Sequence, residues 1–98
     1  MAYKLVWSPA ARDDLHDIVI FIARDNPERA MSFGYELILQ TDRLPGSPEI
    51  GRVVPEYRNP NIRELIFGPY RLVYRINHDR ELCELARVWH SARGIPLL

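Results

Sequence analysis

The sequence has one cysteine, one lysine and no surplus of charge of either sign. A lone Cys83 cannot close an intrachain disulfide, which excludes the disulfide-stapled secreted scaffolds. With no partner pattern around it, it reads as a small buried apolar residue. A zinc site needs about four nitrogen or sulfur ligands, and Cys83 with the scattered His16, His78 and His90 does not supply one, so no metal and no other cofactor is expected. Thirteen basic residues meet thirteen acidic ones. Proteins that grip nucleic acid through its phosphates usually carry a basic excess, so any phosphate-binding surface here has to be a local patch. No apolar run approaches the ~20 residues that span a bilayer. The start of the chain turns polar at Ser8 and lacks the apolar stretch of a signal peptide. The expected location is therefore the cytoplasm, with no membrane partner. Glycine is scarce, five residues against eight prolines, which favours ordered turns over a flexible linker.

What is present is a patterned chain of 98 residues, 47% hydrophobic and 27% charged, the length of one domain spanning 1–98. Residues 2–7 alternate and read as a first strand. Ser8-Pro9 stops it and opens a helix, serine as cap and proline at the first helical position, with Asp13 and Asp14 near the positive helix end. Ala11, Leu15, Ile18, Val19 and Ile22 form one helical stripe to about residue 25. Asn26-Pro27 repeats the signal and opens a second helix over 27–44, so an antiparallel helical hairpin follows. Ala30, Phe33, Leu37, Ile38 and Leu44 make its buried stripe. Met31, Tyr35 and Leu39 widen the apolar arc, either through burial on two sides or as a partner-binding surface. Residues 45–61, with four prolines and two glycines, read as a loop docked by Val53 and Val54. Three strands follow, over 62–67, 70–77 and 82–90, joined by short turns and hence antiparallel. The fold class is α+β: a strand, a helical hairpin, then a three-stranded meander in one sheet packed on the helices.

Three segments resemble the RelE/ParE toxin superfamily: Trp7-Ser8-Pro9-Ala10-Ala11-Arg12-Asp13-Asp14-Leu15, the stretch Arg63 to Arg75 centred on Gly68-Pro69-Tyr70-Arg71-Leu72-Val73-Tyr74, and Ala86-Arg87-Val88-Trp89-His90-Ser91-Ala92-Arg93. The resemblance covers nearly the whole chain, and the middle segment is its most specific part. It implies a toxin of a type II toxin–antitoxin pair, neutralised by a cognate antitoxin that wraps around the helical hairpin and the sheet. Met31, Tyr35 and Leu39 are candidates for that contact. No small-molecule substrate is implied.

The superfamily divides by target. ParE-like members poison DNA gyrase without cutting RNA; RelE-like members cut mRNA in the ribosome. RNA cleavage by 2′-OH attack needs a base, an acid and cations around the charged transition state. The resemblance offers Arg71 and His90 for those roles, with Arg63 and Glu56 beside them. Against the ribonuclease reading stand the absence of any tyrosine after Tyr74 and the single lysine, Lys4. The Val88-Trp89-His90-Ser91-Ala92-Arg93 ending is similar to ParE-like sequences, and Arg71, His90 and Arg93 are the expected functional surface. The ParE-like reading leads, with little expectation of an enzyme; a RelE-like mRNA endonuclease and an inactive relative kept for antitoxin binding and operon repression are the alternatives. Plainer roles stand beside these: Arg71 and Arg75 simply solvated or paired with acids such as Glu64 or Glu84, and His90 packed beside Trp89 and bonded to the backbone.

Overall fold

Ser8 does two jobs at the first helix. Its hydroxyl accepts from the Ala11 N–H at 3.0 Å, and it donates to the Ala86 carbonyl at 2.8 Å, 78 residues away. In the computed structural model, which describes residues 2–98, this capped serine joins β1 (Lys4–Trp7) to α1 (Pro9–Ala23). Asn26 caps α2 (Pro27–Thr41) by accepting from Arg29 N–H, with Pro27 at its first turn. Five further elements complete the chain: β2 (Arg52–Val53), β3 (Ile62–Phe67), β4 (Tyr70–Asn77), β5 (Leu82–His90) and a short 3₁₀ turn over Ser91–Arg93. Among the described residues, no helix is long and apolar enough to cross a membrane.

The strands form one mixed sheet in the order β1-β5-β4-β3-β2. The α+β class, the hairpin and the meander stand as expected. Several details differ. β1 pairs parallel to β5, Lys4 opposite Leu82, so the first and last strands are neighbours. The loop after α2 contributes the two-residue β2, antiparallel to β3. The second helix ends at Thr41, and Leu44 is buried in the turn beyond it. Ile38, expected in the buried stripe, is exposed, because α2 packs mainly on α1 and leaves this flank uncovered.

Between β4 and β5 the register slips: Val73 stands opposite Arg87 but Tyr74 opposite Leu85, leaving Ala86 as an extra residue on β5. Such a bulge reverses the in–out alternation beyond it. Cys83 and Leu85 face the helices before the bulge; Val88 faces them after it, all three in the main core. The Ser8 hydroxyl bonded to the Ala86 carbonyl holds the bulge in place. The core lies between the sheet and the hairpin: Ala11, Phe33, Leu37, Leu44, Leu65, Leu72, Tyr74, Ile76, Cys83, Leu85 and Val88. Tyr74 is completely buried, and its hydroxyl donates to Pro48 O at 2.7 Å while accepting from Gly51 N at 2.9 Å. It thereby pins the proline-rich loop. Gly51 is required there, since a Cβ would stand 2.7 Å from the Glu64 carbonyl and the Tyr74 hydroxyl.

Candidate functional site

Arg71 projects from the start of β4 onto the sheet face opposite the helices. It is buried, not solvated. A buried guanidinium must be matched by acceptors, and two carboxylates supply them. Glu56, from the loop, takes a forked pair of bonds from Arg71 Nη1 and Nη2 at 2.9 and 2.7 Å. Glu64, fully buried on β3, takes one from Arg71 Nε at 2.6 Å and a longer one from Nη2 at 3.3 Å. Arg52 Nε completes the row by donating to the second Glu64 oxygen at 2.7 Å. The row Arg52–Glu64–Arg71–Glu56 has no net charge. The forked Arg71 bonds hold the Glu56 carboxyl down at about 2, against an ordinary 4.5. Bonds to Glu56 and then Glu64 raise Arg71 further above its already high value. Arg71 is paired with Glu64, and Arg75 with Glu84 at 2.6 Å.

The expected gathering of Arg71 with His90 does not occur. Arg71 is registered opposite Trp89, whereas His90 is opposite Tyr70 on the helix side. The Ala86 bulge is the cause: without it, strict alternation would have set His90 on the Arg71 face. Arg63 is also on the helix side, opposite Tyr74. Its guanidinium binds Pro60 O, Gly51 O and Glu49 and so braces the loop. Of the four residues considered for catalysis, only Arg71 and Glu56 meet, and they meet as an ion pair.

His90 does not pack beside Trp89. It meets Tyr70 edge-on, with ring centroids 5.2 Å apart. Its Nδ1 accepts from the Ala92 N–H at 3.0 Å, capping the 3₁₀ turn. An Nδ1 that accepts a hydrogen bond carries no proton, so the neutral ring holds its proton on Nε2. His90, Tyr70 and Arg93 line a cleft of about 190 Å³ together with Asp14, Asp17, Ile18 and Val88. Burial raises the Tyr70 hydroxyl above its usual value, which keeps it protonated. Arg93 is exposed, and its guanidinium lies 3.8 Å from the centre of the Trp89 ring. Asp14 is not free in this cleft: it accepts two bonds from Arg87, at 2.8 and 2.9 Å, and one from Val88 N–H at 2.9 Å.

A third surface lies on the helices. Met31, Tyr35 and Leu39, four residues apart along α2, are 77%, 66% and 45% exposed. Among the described residues nothing covers them, so burial on two sides is not the reason for the broad arc. Ile20 and Phe21 of α1 add to the exposed apolar area, which the sequence pattern alone did not single out. Ile38 borders an adjoining groove lined by Leu5, Val6, Trp7, Leu15 and Val19. Glu64 was visible in the sequence as an acid within an apolar strand. Its burial between two arginines followed from no spacing rule.

A model of the family described as the ParE toxin of the type II toxin–antitoxin system parDE matches residues 5–95. Among solved structures, a chain of a chromosomal ParDE system from P. aeruginosa is similar with a TM-score of 0.76 and 21% identity, over 91% of this chain and 96% of that one. The free E. coli toxin RelE, as a double mutant, gives 0.70 and 16% identity over 96% and 88% of the two chains. A chain of a RelBE toxin–antitoxin complex from Mycobacterium tuberculosis gives 0.64 and 22% identity over 92% and 99%. No curated protein matches in sequence.

Proposed function

Because this chain belongs to the ParE toxin family of type II toxin–antitoxin systems, we propose that it is a toxin that disables DNA gyrase by binding it, without cutting RNA itself, and that a cognate antitoxin neutralises it. The observation that carries this reading is the commitment of Arg71. Its guanidinium is held by Glu56 and Glu64, with little left to stabilise a scissile phosphate. A general base should titrate near the working pH; Glu56, at about 2, is too weak. His90 stands behind the sheet with Nδ1 already accepting a backbone hydrogen bond. Among Arg71, Glu56, Arg63 and His90, no acid–base pair straddles a common point, as 2′-OH attack requires.

The antitoxin contact is assigned to the exposed row Met31, Tyr35 and Leu39, where an amphipathic or extended segment would cover apolar side chains that the toxin leaves uncovered. The gyrase contact is assigned to the exposed end of β5, around His90 and Arg93.

A supercoiling assay with purified gyrase tests the reading. Loss of supercoiling on adding the toxin, relieved by the antitoxin, is expected. Full supercoiling at excess toxin, with codon-linked cuts in primer extension on translated mRNA, would replace it with the RelE-like ribonuclease reading. Normal growth on unopposed expression would replace both with an inactive relative kept for antitoxin binding and repression.

A further inference from the structure

Residues 94–98 cross the sheet on the Arg71 side, and the protein grips them by their carbonyl oxygens. Trp89 Nε1 donates to Gly94 O at 3.2 Å, and Arg71 Nη1 reaches the same oxygen at 3.5 Å. The Tyr57 hydroxyl donates to Pro96 O. Arg87 Nη1 donates to Leu97 O at 3.0 Å, and Arg75 Nη2 reaches Leu98 O at 3.5 Å. Only one side chain of this segment is buried, that of Pro96; Ile95 and Leu97 are 59% and 64% exposed. Gly94, at φ 80°, makes the turn into the groove in a conformation that favours glycine.

Backbone carbonyls are common to every peptide. A surface that reads three of them, at Gly94, Pro96 and Leu97, and seats one proline selects an extended, proline-bearing chain and asks little else of its sequence. Charge excludes the obvious competitor. The arginines that donate to the segment are each already paired: Arg71 with Glu56 and Glu64, Arg75 with Glu84, Arg87 with Asp14. Their remaining N–H groups sit on neutralised cations, which suits an uncharged carbonyl better than a phosphate, whose binding draws on unpaired positive charge. The aromatic rings of Tyr57 and Trp89 at the groove supply further hydrogen-bond donors.

We propose that this face of the sheet is a peptide-binding groove, occupied at rest by residues 94–98, which accepts an extended proline-containing segment of a partner protein when that segment displaces them. The tethered segment is present at high effective concentration and so masks the groove from free peptides. The inference does not depend on which target the toxin disables.

A fluorescent peptide of the sequence Gly-Ile-Pro-Leu-Leu is the probe, and the full-length chain carrying Pro96→Asp is the receptor. An aspartate does not fit the buried proline seat, so the tethered segment should leave. The variant, shown folded by circular dichroism, is expected to bind the peptide about tenfold or more tightly than the unaltered chain. The peptide with aspartate in place of proline should not bind. A second measurement uses the unaltered protein: the Trp89 indole N–H resonance, identified by its loss in Trp89→Phe, should move as millimolar peptide competes for the groove. A folded Pro96→Asp chain that ignores the peptide, or that takes up an oligonucleotide in its place, overturns the proposal. Should that variant not fold, an unmoved Trp89 resonance in the unaltered chain overturns it as well.

Discussion

Arg71 and His90 sit on adjacent strands, one step apart in register, with the sheet between them: Arg71 lies opposite Trp89, and His90 lies opposite Tyr70. A proton cannot pass between them by direct contact, and no single substrate atom can touch both. His90→Ala is therefore expected to weaken growth inhibition by the overexpressed toxin only in part, by no more than about tenfold, as the loss of one side chain from the gyrase contact and not of a catalytic group, and to change stability by no more than about 1 kcal/mol. Growth curves under an inducible promoter and urea unfolding check this; abolished toxicity in a folded variant would return His90 to a chemical role.

The Glu56 carboxyl has a pKa of about 2 in the folded protein against 4.5 ordinarily, chiefly through its bonds to Arg71. A lowered folded-state value means that the ion pair contributes stability fully above pH ~4.5 and loses it as pH falls through 2. Glu56→Gln should be less stable than the parent at pH 7, and the difference should close between pH 4.5 and 2. Unfolding midpoints across that range test it; a constant difference would mean that Glu56 contributes by shape alone.

Asp14 accepts from both Arg87 nitrogens and from the Val88 N–H, tying α1 to β5. Asp14→Ala leaves a partly buried guanidinium and a backbone donor without their acceptor. A loss of about 3 kcal/mol is expected in urea unfolding, accompanied by faster hydrogen exchange at Val88. A cost below about 0.5 kcal/mol, the level of an exposed pair, would deny the link.

Gly51→Ala sets a methyl against backbone and a buried phenol, 2.7 Å from the Glu64 carbonyl oxygen and the Tyr74 hydroxyl. Overpacking of this kind costs about 1–3 kcal/mol. Tyr74→Phe removes the group that accepts from Gly51 and donates to Pro48, for about 1–3 kcal/mol. Thermal unfolding of the double variant should show less than the sum of the two, because both act through one contact.

Met31→Glu and Tyr35→Glu change side chains that touch little of their own chain. Melting temperature should hold, while affinity for the cognate antitoxin should fall by about 10- to 100-fold, the range of an interface anchor. Calorimetry on the purified pair gives the answer, and unchanged affinity in both variants would move the contact elsewhere.

The elements of this fold were largely readable because they are local. Ser8-Pro9 and Asn26-Pro27 fix both helix starts, period-two alternation marks β4, and the Gly68-Pro69 turn separates it from β3. Residues 52–53 form a strand only because β3 lies beside them, so nothing in their own sequence announces it. The parallel pairing of β1 with β5 likewise has no local signal. The site was less legible. Strict alternation, applied to Leu82–His90, carries across Ala86 and assigns His90 the wrong face; the adjacent apolar residues Leu85 and Ala86 were the one hint of a slip. Exposure of Met31, Tyr35 and Leu39 could be offered by the pattern as one of two outcomes, and only the placement of α1 decided between them.

One edge of the sheet is completed by its earliest and latest strands. Ser8 must find Ala86, 78 residues on, and Lys4 must find Leu82 before the central strands are flanked. Contacts so distant along the chain form slowly and late. During synthesis, a nascent toxin shorter than Leu85 lacks the neighbour of its first strand and the anchor of its first helix. Residues 2–81 alone therefore leave this edge of the sheet unmade, and a partner that recognises the finished sheet finds nothing to hold until residues 82–90 have joined it.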